Sequence, residues 1–437
     1  MSLPADVRAD ADAGAGAGAG TGVRPGARLT AARQRLAPVF AHIAQTAVSH
    51  ELEGTRPFAE TRALAEAGFG ALRLPVEAGG GGLGVAEFFE LLVELAAADP
   101  NQPQLWRNHI AFVEDRLAGG SERDREWLVR IADGAVIGGA WSETGTTSIL
   151  GDTRLERVDG RLLLNGTKYY STGSIYADRV GVLALAEDGE LRIALIDARS
   201  EGLELVDDWT GFGQRATGSG TTRLRDVVVA EDAVLDFTDR FVSQEAVFQL
   251  VLVAALAGVA RAARVDAVES VLARARSYPH ALAERPRDDA QVQQVVGRIA
   301  AHAAVAEASV ARGAHALDAV VAAVAGAESV APAAAGARDG EVETAARSAA
   351  IAVYEAQVAV AEAALQASTL LFDALGSSGV QRSAALDRHW RNARTLTSHN
   401  PRIYKERVIG DFYLNGADPL SIYSQAPRDA ATNEDPE

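Results

Sequence analysis

Residues 386–404 read Leu-Asp-Arg-His-Trp-Arg-Asn-Ala-Arg-Thr-Leu-Thr-Ser-His-Asn-Pro-Arg-Ile-Tyr, and this stretch is the most informative part of the chain. Its second half, Ser398-His399-Asn400-Pro401, places an imidazole directly before a rigid turn, because proline restricts the backbone and serine and asparagine favour turns. A histidine can hold or supply a proton near neutral pH. The stretch therefore offers an imidazole beside a turn, and the same residues would equally suit a plain helix end.

The composition limits the possible classes of function. The chain has 437 residues, enough for a large core and two or three subdomains. It carries 42 basic against 59 acidic side chains, a formal charge of −17, which argues against nucleic acid or an anionic membrane surface as the main partner. There is no cysteine, which excludes disulfides, thiolate metal sites and a cysteine nucleophile, and we predict no metal site.

The N-terminus and the apolar runs indicate a soluble, cytoplasmic protein. The N-terminus is acidic and then alternates Ala and Gly, without the apolar segment of a signal peptide. The longest apolar run, Ala246 to Ala260, is too short to cross about 30 Å of hydrocarbon. We therefore expect a buried helix there and no membrane partner.

The hydrophobic period divides the chain into helical, strand and helical parts. Residues 1–27 indicate a disordered tail, because Ala-Gly repeats cannot offset the entropy of ordering. Residues 28–134 have helical spacing, with a strongly apolar helix from Val85 to Ala98 ended by Asp99-Pro100. Residues 236–420 are alanine-rich and predict a helix bundle, with a flexible connection at 326–340. A second tail is predicted for residues 421–437.

Residues 135–235 show the strand period. Asp159-Gly160 is a two-residue hairpin signal, and Asn165-Gly166 indicates another turn. Further strands are predicted at 168–171, 180–184, 191–197, 203–206 and 222–229. The predicted fold class is α+β, mostly α: an N-terminal helical domain, a central antiparallel β-barrel and a C-terminal helix bundle.

This order, with several local motifs, resembles the acyl-CoA dehydrogenase superfamily over about residues 29–417. The segments that carry the resemblance are Leu72-Arg-Leu-Pro-Val-Glu-Ala-Gly-Gly80, Trp141-Ser-Glu-Thr-Gly-Thr-Thr-Ser148, Asn165-Gly-Thr-Lys-Tyr-Tyr-Ser-Thr-Gly173 and the arginine-rich tail. Within the superfamily, four features are more similar to the reduced-flavin-dependent (group D) monooxygenases, such as dibenzothiophene monooxygenases. These features are Asn108-His109, residues 169–173, residues 209–222, and the tail with His389 and His399.

One departure from the dehydrogenases decides the expected chemistry. Those enzymes place a glutamate base in a Tyr-Glu-Gly-Thr run, where this chain has Ser398-His399-Asn400-Pro401. A site that offers histidine in place of this base should not dehydrogenate an acyl chain by proton abstraction. Val113 is a second departure, because dibenzothiophene-type relatives have an aromatic flavin contact there, and it leaves the substrate open.

The resemblance implies a two-component monooxygenase. A partner flavin reductase would supply FMNH2, and reaction with O2 through a C4a-hydroperoxyflavin would oxygenate a small apolar heteroatom-containing or aromatic substrate. S-oxidation is favoured, and N- or C-hydroxylation would use the same chemistry. FAD is the less favoured cofactor.

Three residues would act in this chemistry. By the resemblance, the Ser171 hydroxyl donates toward the flavin or the peroxide oxygen, the His399 imidazole lies over the flavin, and His109 lies on the opposite, substrate-side wall. Each has a structural alternative: a strand serine beside a turn, a helix cap and a satisfied core histidine. His389 is the rival of His399, although a structural role holding Asp387 or a neighbouring helix is favoured for it.

The remaining cofactor contacts follow from the position of each segment in the resemblance. In the first flavin loop, small residues would let backbone amides approach the isoalloxazine edge. Lys168 and Arg276 are candidates for the phosphate, or else solvated surface charges. The predicted contacts are Ile137, Gly138, Gly139, Ala140, Trp141, Ser142, Thr167, Lys168, Tyr169, Tyr170, Ser171, Arg276, Ser377, Ser378 and His399.

The resemblance also implies assembly into a homotetramer. Relatives bury their C-terminal bundles between subunits, and the turn at 376–379 touches the neighbouring subunit's cofactor in them. Arg391 and Arg394 are expected to form structural ion pairs. Two alternatives stay open: an FAD-dependent acyl-CoA dehydrogenase or oxidase with Glu245 or Glu355 as its base, and a non-catalytic oligomeric binding protein.

Overall fold

The computed structural model of the chain describes residues 26–144, 151–328, 335–400 and 402–420. Nearly all of the tail predicted at 1–27, and all of the tail at 421–437, lie outside the described residues. The same holds for Pro401 and for parts of the segments at 141–148 and 326–340.

Five helices form the N-terminal part. They are α1 (Ala27–Glu53), α2 (Phe58–Glu66), α3 (Val85–Ala98), α4 (Asn101–Gly119) and α5 (Glu122–Ala132). The predicted bounds of α3 are confirmed, with Asp99 in an extended conformation directly after it. Residues Asn101 to Gln104 begin α4 inside the protein, and all four are buried.

Eight strands form one sheet. They are β1 (Ile137–Ala140), β2 (Arg154–Val158), β3 (Arg161–Lys168), β4 (Arg179–Ala186), β5 (Leu191–Asp197), β6 (Leu203–Val206), β7 (Thr221–Val229) and β8 (Val234–Asp236). The order is β6-β7-β3-β2-β4-β5-β8, and β1 pairs with β4. The predicted Asp159-Gly160 hairpin is confirmed, since Val158 pairs with Arg161 across it.

The predicted antiparallel barrel is not confirmed, and the sheet is mixed and not closed. Both β1 and β2 run parallel to β4, and β6 and β8 lie at opposite ends of the strand order. The physical reason is that alternating apolar residues indicate a half-buried strand but do not specify the direction of its neighbour.

The turn predicted at Asn165-Gly166 is also wrong. Strand β3 continues to Lys168, and the register shifts between Leu164 and Gly166 as in a β-bulge. Gly166 has φ +151° and lies so close to Thr153 that a side chain there would collide with it. Glycine therefore serves a bulge here rather than a turn.

Five further helices follow in the described part of the chain. They are α6 (Gln244–Ala273), α7 (Ala290–Glu328), α8 (Ala335–Leu375), α9 (Asp387–His399) and α10 (Arg402–Asn415). Helix α6 is buried along most of its length and packs against α3, α4, α7, α8 and α9. One apolar core therefore joins the N-terminal helices to the C-terminal bundle.

Three helices have the length and apolar composition of membrane spans, namely Gln244–Ala273, Ala290–Ala327 and Asp339–Ser378. The apolar run at 246–260 is part of the 30-residue helix α6, so the helix is longer than the run that predicted it. The most apolar window of α6 is 89% buried inside the protein, against 28% for the second helix and 56% for the third, so burial accounts for the apolar composition of α6 most fully.

Candidate flavin site

The turn after β3 presents Ser171 with an unpaired hydroxyl. Tyr169 N donates to Ser142 O (2.8 Å), and Ser171 N donates to Gly220 O (3.0 Å), so both flanks of the turn are fixed. Tyr170 has φ +57°, a left-handed conformation that is costly for an aromatic residue. Ser171 Oγ is buried and has no hydrogen-bond partner among the described residues.

A row of hydroxyls supports this turn. Thr172 Oγ1 and Thr217 Oγ1 each lie 2.7 Å from Ser219 Oγ. From the other side, Asn108 Nδ2 donates to Thr172 O (3.3 Å). Residues 217 and 219 of the loop before β7 are therefore tied to the Ser171 turn by side-chain hydrogen bonds.

Two consecutive residues of α4 point to two parts of the site, because successive helical residues are rotated by about 100°. Asn108 reaches the backbone beside Ser171. Arg107 Nη1 lies 3.4 Å from His399 Nε2. The serine and the histidine predicted from distant segments are thus both held by this one helical turn.

His399 is the last residue of α9 and is accessible to solvent. Even so, burial by surrounding protein, followed by the charge of Arg107, lowers its pKa to about 3, against a hydrogen bond from the Asn400 side chain that raises it. Accessible surface and strong desolvation are both expected if the ring lines a deep recess rather than the outer surface. The imidazole is therefore neutral at physiological pH.

His109 lies in the core and has partners for both ring nitrogens. Its Nε2 is 3.0 Å from Gly70 O, and its Nδ1 accepts from Ile137 N (3.2 Å). Burial lowers its pKa to about 4. The geometry matches the alternative of a satisfied core histidine, so the substrate-wall role stays a prediction that requires one of these bonds to break.

The first flavin loop divides into a buried strand and an open end. Residues 137–140 form β1 and are fully buried. A side chain at Gly139 would collide with Asn108, and one at Gly138 would collide with Ser174. Packing inside the protein therefore requires small residues here, and the approach of their backbone amides to a flavin stays a prediction.

The open end of this loop is aromatic. Trp141 makes edge contacts with Phe237 and Phe248, with ring centroids 5.8 and 5.7 Å apart. Phe248 in turn lies under the Arg107 guanidinium, 4.5 Å from the ring centroid. Sequence reasoning missed Arg107 and Phe248, and no motif in the chain signals either residue.

Lys168 is engaged within the protein. Its Nζ lies 2.5 Å from Glu143 Oε1, and both side chains are buried. Desolvation lowers the pKa of Lys168. Desolvation raises the pKa of Glu143, but the hydrogen bonds from Lys168, Asp152 and Thr153, together with the Lys168 charge, outweigh it and lower this pKa to about 2. A phosphate contact by Lys168 would have to compete with this ion pair.

The other predicted phosphate and turn residues lie elsewhere in the same chain. Arg276 is exposed in the segment between α6 and α7. Tyr278 OH, on that segment, lies 3.3 Å from Ser377 Oγ, while Ser378 Oγ donates to Leu375 O (2.8 Å). A cavity of about 320 Å³ opens here, and neither Ser171 nor His399 lines it.

The remaining tail residues are structural. His389 Nε2 lies 2.6 Å from Asp266 Oδ2, and the ring is buried. Both observations favour a structural role for His389 over a position beside the flavin. Arg391 forms the expected ion pairs, with Asp387 and with Glu51. Arg394 instead hydrogen-bonds Thr397.

Comparisons with known proteins agree with this architecture. The acyl-CoA dehydrogenase N-terminal domain matches residues 30–135. Dibenzothiophene monooxygenase of Rhodococcus erythropolis is 28% identical over 397 residues, covering 86% of this chain and 91% of that protein. The probable FMNH2-dependent monooxygenase SfnC of Pseudomonas putida is 28% identical over 413 residues, covering 92% and 98%.

A solved structure extends the likeness to three dimensions. TdsC from Paenibacillus sp. A11-2, in complex with FMN and indole, has a TM-score of 0.78 and 27% identity to this chain, covering 89% of it and 98% of TdsC. The chain therefore matches the acyl-CoA dehydrogenase N-terminal domain over residues 30–135 and has the fold of TdsC, and its relatives include dibenzothiophene monooxygenase and a probable FMNH2-dependent monooxygenase.

Proposed function

We propose that this protein is the oxygenase of a two-component system, which takes FMNH2 from a flavin reductase and uses O2 to oxygenate a small apolar sulfur-containing or aromatic substrate. S-oxidation is favoured because the relatives include dibenzothiophene monooxygenases. The complex of TdsC with indole supports an aromatic substrate, so N- or C-hydroxylation is the second option.

The observation that carries the proposal is the Ser171 hydroxyl. A buried hydroxyl without a partner is costly, and native proteins keep such groups mainly where a ligand or water completes them. The left-handed Tyr170 beside it adds backbone strain, which concentrates at functional sites. Both features fit a flavin ring that accepts a hydrogen bond from Ser171 Oγ.

Reduced FMN, when bound, supplies the electrons that activate O2; the protein's part is to bind, orient and exclude water. Ser171 would donate one fixed hydrogen bond to the flavin. His399 would bound the opposite side as a neutral imidazole, and Trp141 with Phe248 would keep water out. His109 would position β1 through its bond from Ile137 N.

The separate group at Arg276, Ser377 and Ser378 is proposed to serve a neighbouring subunit's flavin. This arrangement requires at least two subunits, and the proposed assembly is a homotetramer in which the alanine-rich faces of α7 and α8 would pack against other subunits. A cationic Arg276 would then face the FMN phosphate, while Thr167, Tyr169 and Tyr170 would contact the ring system. We propose a cytoplasmic location. Light scattering that gives the mass of a single 45.7 kDa chain would contradict the tetramer.

The test compares Ser171→Ala with Ser174→Ala, whose hydroxyl already donates to Gly139 O (3.1 Å). Reduced and oxidised FMN are titrated anaerobically, and then peroxide released per O2 consumed is measured. We expect the wild type to prefer reduced FMN, and Ser171→Ala alone to release more peroxide. If the protein instead purifies with tightly bound oxidised FAD, and acyl-CoA bleaches this flavin, the dehydrogenase alternative is established. If the protein binds no flavin, the binding-protein alternative remains.

A further inference from the structure

We propose that Arg107 is a positioning residue that holds His399 as the neutral tautomer with its proton on Nδ1, and so withholds this imidazole from proton transfer. The inference rests on the proposed function for its consequence but not for its geometry. It changes the role predicted for His399 from a proton donor to a fixed neutral wall of the site.

The first step is the contact between the two side chains. Arg107 Nη1 lies 3.4 Å from His399 Nε2. A guanidinium carries only donors, so the histidine nitrogen that faces it must be the acceptor. A neutral imidazole with an acceptor at Nε2 carries its proton on Nδ1.

The second step is that Arg107 itself is fixed. Its Nε donates to Phe248 O (3.1 Å), and its guanidinium lies 4.5 Å from the centroid of the Phe248 ring. The neighbouring residues Leu105 and Trp106 are buried, so the backbone of α4 cannot shift easily here. The cation is thus already ordered when His399 meets it.

The third step is a chain of hydrogen bonds on the other side of the ring. Asn400 Nδ2 donates to Gln249 Oε1 (3.0 Å), and Gln249 Nε2 donates to the Glu245 carboxylate. The acceptor-only carboxylate sets the orientation of both amides. The Asn400 side chain hydrogen-bonds the His399 ring. Its Nδ2 donates to Gln249, so its side-chain oxygen Oδ1 is the acceptor, and because Nε2 of the ring faces Arg107, the ring donor in this inferred bond is Nδ1.

The chain therefore runs with one direction from a cation to an anion. Arg107 donates to His399, His399 to Asn400, Asn400 to Gln249, and Gln249 to Glu245. Both ring nitrogens of His399 are engaged, and Gln357 Nε2 adds a bond to Asn400 O (3.2 Å) that fixes the backbone. Such a polarised chain stabilises one tautomer over the other.

One further charged group lies near the anionic end of this chain of hydrogen bonds. Lys405 on α10 lies over the Tyr354 ring of α8, 3.9 Å from its centroid, and interacts electrostatically with Glu245. Arg107 is the cation next to the His399 ring, whereas Lys405 acts on Glu245 at the other end of the hydrogen-bond chain. Glu245 is the carboxylate of that hydrogen-bond chain. A second proton on His399 would be placed against the Arg107 cation.

The consequence concerns side reactions at a site that handles reduced flavin and O2. Peroxide release needs a proton, and an imidazolium beside the flavin would supply one. Above its pKa, the protonated fraction of an imidazole rises about tenfold for each pH unit of acidification. Holding His399 neutral therefore limits the loss of peroxide as the pH falls.

The first test reads the tautomer in the full-length, flavin-free protein. We expect ¹⁵N-histidine NMR of the wild type to show a signal from an Nδ1–H tautomer. Its absence from His399→Gln would assign the signal to His399. In Arg107→Met we expect this signal to be replaced by a mixture of the two tautomers. Arg107→Lys should partly restore it, because lysine keeps the cation and a donor. An Nε2–H tautomer in the wild type, or no change in Arg107→Met, would overturn the proposal.

The second test measures peroxide released per O2 consumed between about pH 6 and pH 8. In Arg107→Met the ratio should rise as the pH falls, and adding His399→Gln should remove this dependence. The matched control is Arg130→Met, which removes another arginine 4.5 Å above an aromatic ring, that of Trp127, away from His399. A wild-type protein that does not bind reduced FMN would refute the proposed function. The NMR test of the His399 tautomer uses flavin-free protein, so its result does not depend on that outcome.

Discussion

Lys168 at the end of β3 and Glu143 beyond β1 form an ion pair with Nζ and Oε1 2.5 Å apart. The two Glu143 oxygens also accept hydrogen bonds from Asp152 N (2.6 Å) and Thr153 N (3.2 Å). One carboxylate therefore ties together the segments on both sides of residues 145–150 and the strand that leads to Ser171. The pair links the stability of the fold to the position of the proposed flavin-binding turn.

Glu143→Gln should destabilise the protein. The pKa of Glu143 falls from 4.5 to about 2 on folding, so its contribution is present above the unfolded pKa and is lost as the pH falls from 4.5 to about 2. The full contribution is about 3 kcal/mol, and the variant also leaves the Lys168 cation buried without its partner. Urea unfolding at pH 7 and at several acidic pH values checks both parts.

The control for this prediction is Glu204→Gln, which removes an exposed ion pair with Arg223. Exposed pairs are worth about 0–1 kcal/mol, so little change is expected at any pH. Equal losses in the two variants would show that the buried pair has no special role.

Ser171→Ala should leave the free energy of unfolding nearly unchanged or raise it, because the hydroxyl has no partner to lose. Ser174→Ala should lower it by about 1 kcal/mol, because Gly139 O would lose a buried hydrogen bond. Denaturation of the flavin-free variants, each compared with the wild type, measures the difference. A clear loss of stability in Ser171→Ala would mean that the hydroxyl has a partner within the protein.

His109→Leu should destabilise the fold by about 2–4 kcal/mol at pH 7.5, since Gly70 O and Ile137 N would both be left unpaired. Burial lowers the His109 pKa from 6.5 to about 4, so the unfolded chain takes up the proton first. Wild-type stability should therefore fall by up to about 3 kcal/mol as the pH decreases from 6.5 to 4, and the variant should lack this part of the slope. Parallel pH profiles would contradict a buried neutral His109.

Local pattern predicted most of the elements of the fold. Val85 to Ala98 and the Asp159-Gly160 hairpin follow from side chains that are close in sequence, and the structure confirms both. The mixed direction of the sheet depends on where β1 enters beside β4, which is set by long-range packing that no local pattern encodes. Gly166 shows the same limit, because a glycine signal does not distinguish a bulge from a turn.

The sequence predicted residues of the candidate site only where the type of side chain by itself suggests a chemical role. The Ser398-His399-Asn400-Pro401 run and the Ser171 segment stand out in the sequence, and the structure places both next to α4. Arg107 lies 292 residues from His399, and a single arginine in a helix gives no sign of which distant group it meets. His109 was singled out by type, yet its burial and its two backbone partners become visible only in the fold.

The proposed sharing of each flavin between two subunits can be tested by mixing defective chains. Arg276→Glu should abolish retention of reduced FMN while leaving stability unchanged, because Arg276 is exposed. Ser171→Ala should increase peroxide release. When the two variants are unfolded and refolded together in equal amounts, about a quarter of the sites would combine an intact Ser171 with an intact Arg276 from the neighbour.

Product formed per O2 consumed should then recover in the mixture but not when either variant is refolded alone. The control mixes Arg276→Glu with Ser171→Ala/Arg276→Glu, in which no site can hold both intact residues. Recovery in the first mixture alone would establish a site built from two chains. Absence of recovery, with co-purification of differently tagged chains showing mixed oligomers, would place both residues in one chain's site and exclude a shared flavin.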